Sequence, residues 1–279
     1  MQNVYLMMHQ MRNDVNTLAE QVVRALRNEG LNVWMEPWLG KAVQETAQCE
    51  PEDCPMDVIV AVGGDGTLLR ATQTAIARDV PVLGVNVGHI GFLVETELER
   101  LSEACKRLKN GEYTVETRMM LDVTLPDGTV RTALNDVVVS RGGYARLIAI
   151  MASVEDELIG RYIADGLIVS TPTGSTGYSL SAGGPIVCPE VECILLSPIC
   201  PHSLQHRPVV ANACQTITVY LDCDPGQKAQ LDVDGQMVGT LAGSQQVTIR
   251  RSQTVTRLIR FGAHSFFHRI REKLTEWSC

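Results

Sequence analysis

Five apolar residues in a row, Val58 to Val62, run straight into Gly63-Gly64-Asp65-Gly66-Thr67, and a helical pattern follows at once. No other segment constrains the fold as tightly. A run that is apolar at every position reads as a strand buried on both faces, the state of strands in a parallel sheet covered by helices. A glycine-rich turn from such a strand into a helix lies at the carboxyl edge of the sheet, where α/β folds bind ligands. The neighbouring segments agree. Asn3 to Met8 reads as a strand. Asp14 to Glu29 carries Val15, Leu18, Ala19, Val22, Val23 and Leu26 at helical spacing, with Gly30 as its stop. Leu31 to Met35 and Val80 to Val85 read as strands, and Thr67 to Ala77 and Leu98 to Leu108 as helices. This alternation predicts an α/β N-terminal domain with a Rossmann-like parallel sheet over residues 1–112.

The pattern changes at Asn110-Gly111. From Tyr113 onward short strands alternate with turns such as Pro126-Asp127-Gly128. Strands are expected around Val137–Val139, Leu147–Met151, Leu167–Val169, Ile194–Leu196, Thr216–Leu221, Val247–Ile249 and Val255–Ile259, with Arg250-Arg251 as a solvated strand end. Residues 113–257 are therefore expected to be a mostly antiparallel β domain. A last helix, His264 to Trp277, places Phe267, Ile270 and Leu274 on one face, with Arg269, Arg271 and Lys273 on its solvated side.

Charge excludes one class of function. A net charge of −8 is wrong for a general nucleic-acid binder, but backbone amides can still hold phosphates locally. The nine cysteines contain no CxxC pair and no histidine cluster, so they are expected as free thiols in a reducing cytoplasm and not as a zinc site. The N-terminus lacks a signal-peptide pattern, and no 18-residue apolar stretch exists to span a membrane.

The glycines of Gly63 to Thr67 allow a bulky anion to approach the backbone. With the helix N-terminus they can cradle a polyphosphate, which assigns phosphate contacts to Gly63, Gly64, Gly66 and Thr67. The segment is neither a GxxxxGK[ST] loop nor GxGxxG, since Leu69 stands at the third glycine. A carboxylate here repels phosphates, so Asp65 needs its own reason: taking a proton from an attacking hydroxyl, or binding a metal. The plainer alternative is that Asp65 or Thr67 caps the helix. Arg70, a turn further on, is either a phosphate contact or a solvated charge.

The run Ala164 to Pro185 concentrates hydroxyls and small residues beside a buried strand. It can wrap sugar hydroxyls and stack a ring on Tyr178, with Asp165 near a ribose or amide. Asp232 and Asp234 are carboxylates at metal-pair spacing, though Asp234-Gly235 reads better as a hairpin turn, with Gln236 as a ligand contact. His202 reads as structural, His89 as an exposed loop residue, and Phe92 as core or as a support for a base.

Taken together, these segments resemble the NAD kinase family. The match comprises Gly63-Gly64-Asp65-Gly66-Thr67, Asn86-x-Gly88-x-x-Gly91-Phe92-Leu93, Asn135-Asp136, Asp165-Gly166-x-x-x-Ser170-Thr171-Pro172-Thr173-Gly174-Ser175-Thr176 and Pro201-His202-x-Leu204-x-x-Arg207-Pro208. The resemblance implies a kinase that moves the γ-phosphoryl group of ATP to the 2′-hydroxyl of the adenosine ribose of NAD, giving NADP. It implies Asp65 as general base and NAD contacts at Asp65, Gly66, Asn135, Asp136, Arg146, Asp165, Thr173, Thr176, Gly177, Tyr178, Leu180 and Ser181. It also implies Mg²⁺ or another divalent metal used with ATP, a homodimer or homotetramer, and a C-terminal segment 258–279 packed back on the first domain. Two positions depart from the family: Asp136 replaces its glutamate, and Gly177 replaces its alanine. The rival readings are a kinase with the same loop acting on a lipid or sugar hydroxyl, and a non-catalytic NAD or NADP sensor.

Overall fold

The computed structural model describes residues 1–10, 14–45, 47–88, 91–143, 146–223, 226–262 and 265–276. The chain divides into two compact units, Met1–Thr117 with Thr256–Cys279, and Arg118–Val255.

The first unit runs β1 (Asn3–Met8), α1 (Val15–Asn28), β2 (Asn32–Met35), α2 (Pro37–Ala42), β3 (Val58–Val62), α3 (Asp65–Arg78), β4 (Val82–Asn86), β5 (Thr96–Glu97) and α4 (Leu101–Asn110). Strand β6 (Thr114–Thr124) then leads into the second unit. That unit continues with β7 (Val130–Ala133), β8 (Asp136–Ser140), β9 (Ile148–Val154), β10 (Glu157–Ala164), β11 (Gly166–Ser170), α5 (Tyr178–Ser181), β12 (Cys193–Ile199), β13 (Val209–Asn212), β14 (Ile217–Leu221), β15 (Lys228–Val233) and β16 (Gln236–Ala242). Strand β17 (Gln246–Arg260) returns the chain to the first unit, which ends in α6 (Phe266–Glu276).

In the first unit β1 pairs in parallel with β2 and β3, β3 with β4, and β4 with the end of β17 at Leu258. Strands β3 and β4 are buried at every position, as a sheet covered on both faces requires. Helix α1 turns Leu18, Ala19, Val22, Val23 and Leu26 into the core. It stops at Gly30, whose φ of +70° lets Leu31 N–H reach Leu26 O (3.2 Å) and Gly30 N–H reach Arg27 O (2.9 Å). Helix α2, entered at Pro37, has too few residues to show a periodicity and was not expected from the sequence.

The second unit holds two antiparallel sheets. One orders β13-β12-β11-β8-β15-β16, and the other includes β10-β9-β14 and the start of β17. Their shared core includes Leu121, Ile150, Leu167, Val219, Leu231 and Ile249. The turn at Pro126-Asp127-Gly128 joins β6 to β7, and the hairpin at Asp234-Gly235 joins β15 to β16 with φ of +48° and +75°.

Three expectations are corrected. Strand β17 is one 15-residue strand where two were expected, so Arg250-Arg251 lies mid-strand and Arg251 pairs with Glu192 at 2.6 Å. Its polar middle hides the continuity, because an extended chain with one wet face needs no apolar residues there. Cys49 and Cys54 are joined in a disulfide with Cα atoms 5.8 Å apart, while Cys105, Cys188, Cys193, Cys200, Cys214 and Cys223 are free. Arg269 turns inward from α6 and is not on a solvated side, whereas Phe267 is 68% exposed. His89, His264 and Trp277, and the side chain of Leu274, lie outside the described residues. Among the described residues no helix is long and apolar enough to cross a membrane.

Candidate active site

In the first unit a candidate site is built where β3 ends. Gly63 N–H bonds Val85 O at 2.9 Å, continuing the sheet edge, and a Cβ there would lie 2.4 Å from the Thr67 hydroxyl. Gly64 is the extended residue that opens α3. The helix starts at Asp65, two residues earlier than the pattern predicted, so Asp65, Gly66 and Thr67 form its first turn. Thr67 N–H bonds Gly64 O at 3.0 Å, while the amides of Asp65 and Gly66 at the start of the helix favour an anion. A Cβ at Gly64 or Gly66 would meet nothing within 4 Å, and both residues are exposed. A phosphate therefore has room against the backbone here. The Thr67 side chain, in contrast, is buried.

Asp65 does not cap α3, for no side chain caps that helix. Its carboxylate instead accepts Phe92 N–H at 2.9 Å on one oxygen and Leu93 N–H at 3.1 Å on the other. The carbonyls of this same strap are held from behind. Arg260 donates to Leu93 O at 2.9 Å, and Arg269 donates to Val94 O at 3.1 Å. Glu95, almost fully buried, joins the two arginines and accepts Phe261 N–H at 2.7 Å. Phe92 is buried.

Arg70 is held in place, though its side chain is partly exposed. Its guanidinium is bonded to the Glu36 carboxylate and, at 2.6 Å, to Met8 O at the end of β1. A cavity of about 300 Å³ in this unit is bordered by Asn86, Gly91 and Phe261. Glu95, Glu97, Glu103 and Glu272 face Arg100, Arg107 and Arg269 across it, which leaves no excess positive charge for a polyphosphate. The open glycines beside Asp65 suit one better.

In the second unit a separate cluster is built on β8 and the turn after β11. Asn135 and Asp136 enter β8, and Thr171 N–H donates to Asn135 O at 2.9 Å. Gly174 then lies so close to that peptide that a Cβ would be 2.1 Å from Asn135 O. At Gly177 a Cβ would stand 3.6 Å from Asn135 Nδ2 and 3.9 Å from an Asp136 carboxylate oxygen. Its nearest neighbour would be Gly174 O at 3.3 Å, so the family's alanine would be tight there, and Asn135, Asp136 and Gly177 form one cluster. Thr173 is buried with its hydroxyl 3.3 Å from Arg118, Thr176 is half-buried, and Tyr178 and Ser181 are exposed on α5 beside half-buried Leu180.

Several hydroxyls of this loop already make hydrogen bonds within the protein. Thr171 donates to Leu134 O at 2.6 Å, Ser175 to Pro172 O at 2.6 Å, Thr176 to Thr173 O at 3.1 Å, and Ser179 pairs with Ser197 at 2.8 Å. They brace the loop. Asp165 forms an ion pair with Arg141 at 2.6 Å. Arg146 and Gln236 are exposed, on the approach to β9 and at the start of β16.

Sequence reasoning missed Asp234 as part of this cluster. Its carboxylate accepts the backbone N–H groups of Leu134 (2.8 Å), Asn135 (2.7 Å) and Asp136 (3.2 Å). The turn residue thereby fixes the backbone of the Asn-Asp motif. Burial, with Asp234 and Asp232 nearby, pushes the Asp136 carboxyl up to about 7. Burial also raises Asp234, against its three amide bonds. The signal that could have found it was the adjacency of Asp234-Gly235 to a predicted strand end, read as a source of acceptors and not only as a turn. Asp232 and Asp234 form no metal site: no group of three or more ligating side chains occurs among the described residues.

The sequence is similar to known proteins along its length. The ATP-NAD kinase N-terminal domain matches residues 4–113, and the ATP-NAD kinase C-terminal domain matches residues 134–261. A NAD kinase of Geotalea daltonii is 40% identical over 263 residues, covering 92% of each chain. One from Heliobacterium modesticaldum is 45% identical over 225 residues, 79% of each chain. The fold is similar to yeast NADH kinase complexed with NADH, with a TM-score of 0.89 and 25% identity over 99% of this chain and 88% of that one. It is also similar to an NAD kinase from Archaeoglobus fulgidus in complex with ATP, with a TM-score of 0.78 and 28% identity over 98% of both chains. With both domain profiles in place and relatives at this identity over most of its length, the chain belongs to the NAD kinase family.

Proposed function

We propose that this protein transfers the γ-phosphoryl group of ATP to the 2′-hydroxyl of the adenosine ribose of NAD, giving NADP and ADP. The observation that carries the reading is a carboxylate, Asp65, seated by two backbone amides beside open glycines at the N-terminus of α3. Asp65 takes the proton of the 2′-hydroxyl as its oxygen attacks the γ-phosphorus, and ADP leaves. A placed general base contributes typically ~10²–10⁴-fold, and most of the remainder in phosphoryl transfer is positioning and charge neutralisation. Gly63, Gly64, Gly66 and Thr67 contribute backbone to the phosphates. Arg70 joins them only if it releases Glu36. Asn135, Asp136, Arg146, Asp165, Thr173, Thr176, Gly177, Tyr178, Leu180, Ser181 and Gln236 hold the dinucleotide.

The reaction uses Mg²⁺. The residue present that would hold such an ion is Asp65 in the glycine turn, and the ion would supply charge neutralisation to the phosphates. We place the enzyme in the cytoplasm, a reading supported by its six free described cysteines. We also read it as a homodimer or homotetramer. Exposed Leu158, Leu204 and Met237 on the second unit support assembly, and light scattering would measure it.

The test is direct. Purified protein is incubated with ATP, Mg²⁺ and NAD, and NADP is detected with an NADP-specific dehydrogenase. Diacylglycerol and fructose 6-phosphate run in parallel as acceptors, with ADP as the common readout. NADP dependent on both substrates is the expected result. NAD binding without turnover would favour a sensor, and ADP release with another acceptor would favour a lipid or sugar kinase.

A further inference from the structure

We infer that Gly91 is a positioning residue for Asp65: the absence of a side chain at Gly91 creates the space in which the catalytic carboxylate sits. This rests on the reading of Asp65 as the general base. A Cβ at Gly91 would lie 2.1 Å from Asp65 Oδ1, 2.7 Å from Cγ and 3.0 Å from Oδ2. All three nearest atoms belong to that one carboxylate. The requirement is steric, and the nearest atoms imposing it are those of Asp65.

The strap cannot simply step back to make room. Phe92 and Leu93 N–H groups bind the carboxylate on one side. On the other, Arg260 and Arg269 hold the Leu93 and Val94 carbonyls, and both arginines are tied to buried Glu95. Gly84, on the adjacent strand, is equally close: a Cβ there would be 2.9 Å from the Val94 Cα. The softer response to a methyl at Gly91 is rotation of the Asp65 side chain out of its amide seat. The carboxylate then loses its fixed position relative to the attacking hydroxyl, while groups that bind NAD elsewhere are untouched.

The test is a double-mutant cycle with Gly91→Ala and Asp65→Ala, read by kinetics and by thermal unfolding. In the wild-type background Gly91→Ala is expected to lower kcat by about 10²-fold, the lower end of what a placed base supplies, with KM for NAD changed less than about threefold. Added to Asp65→Ala, it is expected to lower kcat no further. Its effect on unfolding should also vanish there, because the colliding group is gone. Gly91→Ala with near-wild-type kcat would overturn the proposal, as would an equal loss of stability in both backgrounds. Should Gly91→Ala fail to fold alone, folding of the double variant supports the steric coupling and misfolding of both overturns it. The base reading fails separately, if Asp65→Ala retains turnover; coupling in unfolding would then still register the contact.

Discussion

Asp234→Gly isolates one carboxylate. Asp234 sits at φ +48° in the hairpin turn, so glycine keeps the backbone at ease and removes only the acceptor. Three N–H groups then lose their partner: those of Leu134, Asn135 and Asp136, at 2.8, 2.7 and 3.2 Å. Each buried N–H left unpaired costs about 1–3 kcal/mol. The gross loss is thus roughly 3–7 kcal/mol, taking the longest bond at the low end. Against this stands the relief of no longer burying a carboxylate, whose raised pKa shows that burial outweighs the amide bonds in disfavouring its charge. That relief offsets part of the loss, and a net loss near the low end, roughly 3 kcal/mol, is expected. Amide hydrogen exchange at residues 134–136 is the local assay, and it should quicken by roughly 10²-fold. Asp234→Asn keeps one oxygen that can serve two of the three amides, so it should fall between glycine and wild type. Unchanged exchange in Asp234→Gly, or an asparagine variant as damaged as the glycine one, would refute the reasoning.

Other outcomes follow from the same geometry. Asp65→Asn should lower kcat by ~10²–10⁴-fold while calorimetry finds NAD binding largely retained; near-normal turnover would end the general-base assignment. The Asp136 carboxyl is raised from 3.8 to about 7, so its contribution to stability is present below 3.8 and is lost as pH rises through about 7. Asp136→Asn does not titrate, and its stability relative to wild type should therefore grow between pH 4 and pH 8, by at most roughly 4 kcal/mol; a flat difference in urea midpoints would contradict this. Gly174→Ala drives a methyl into the Asn135 peptide, with contacts of 2.1, 2.6 and 2.9 Å to its O, C and Cα. It should cost at least about 1–3 kcal/mol and raise KM for NAD, as steady-state kinetics would detect.

The sequence by itself determined the fold class and the positions of the glycine turn and the hydroxyl-rich loop. Apolar runs and helical spacing reflect each residue's immediate neighbours, so β3, α1 and the antiparallel second half were legible, as were the hairpin at Asp234-Gly235 and the glycine turn holding Asp65. Local periodicity has no reach beyond a turn or a strand. It could not join β17 across its polar middle, pair Cys49 with Cys54, or show that Arg70 is held by Glu36. The tertiary structure decided which atoms each polar group meets. Asp65 finds its amides 27 and 28 residues away, Asp234 finds its own 98 to 100 residues away, and Arg269 reaches Val94 across 175. Those partners are chosen by folding because a buried donor or acceptor must be satisfied by whatever packing brings beside it, and no pattern along the chain records what that will be.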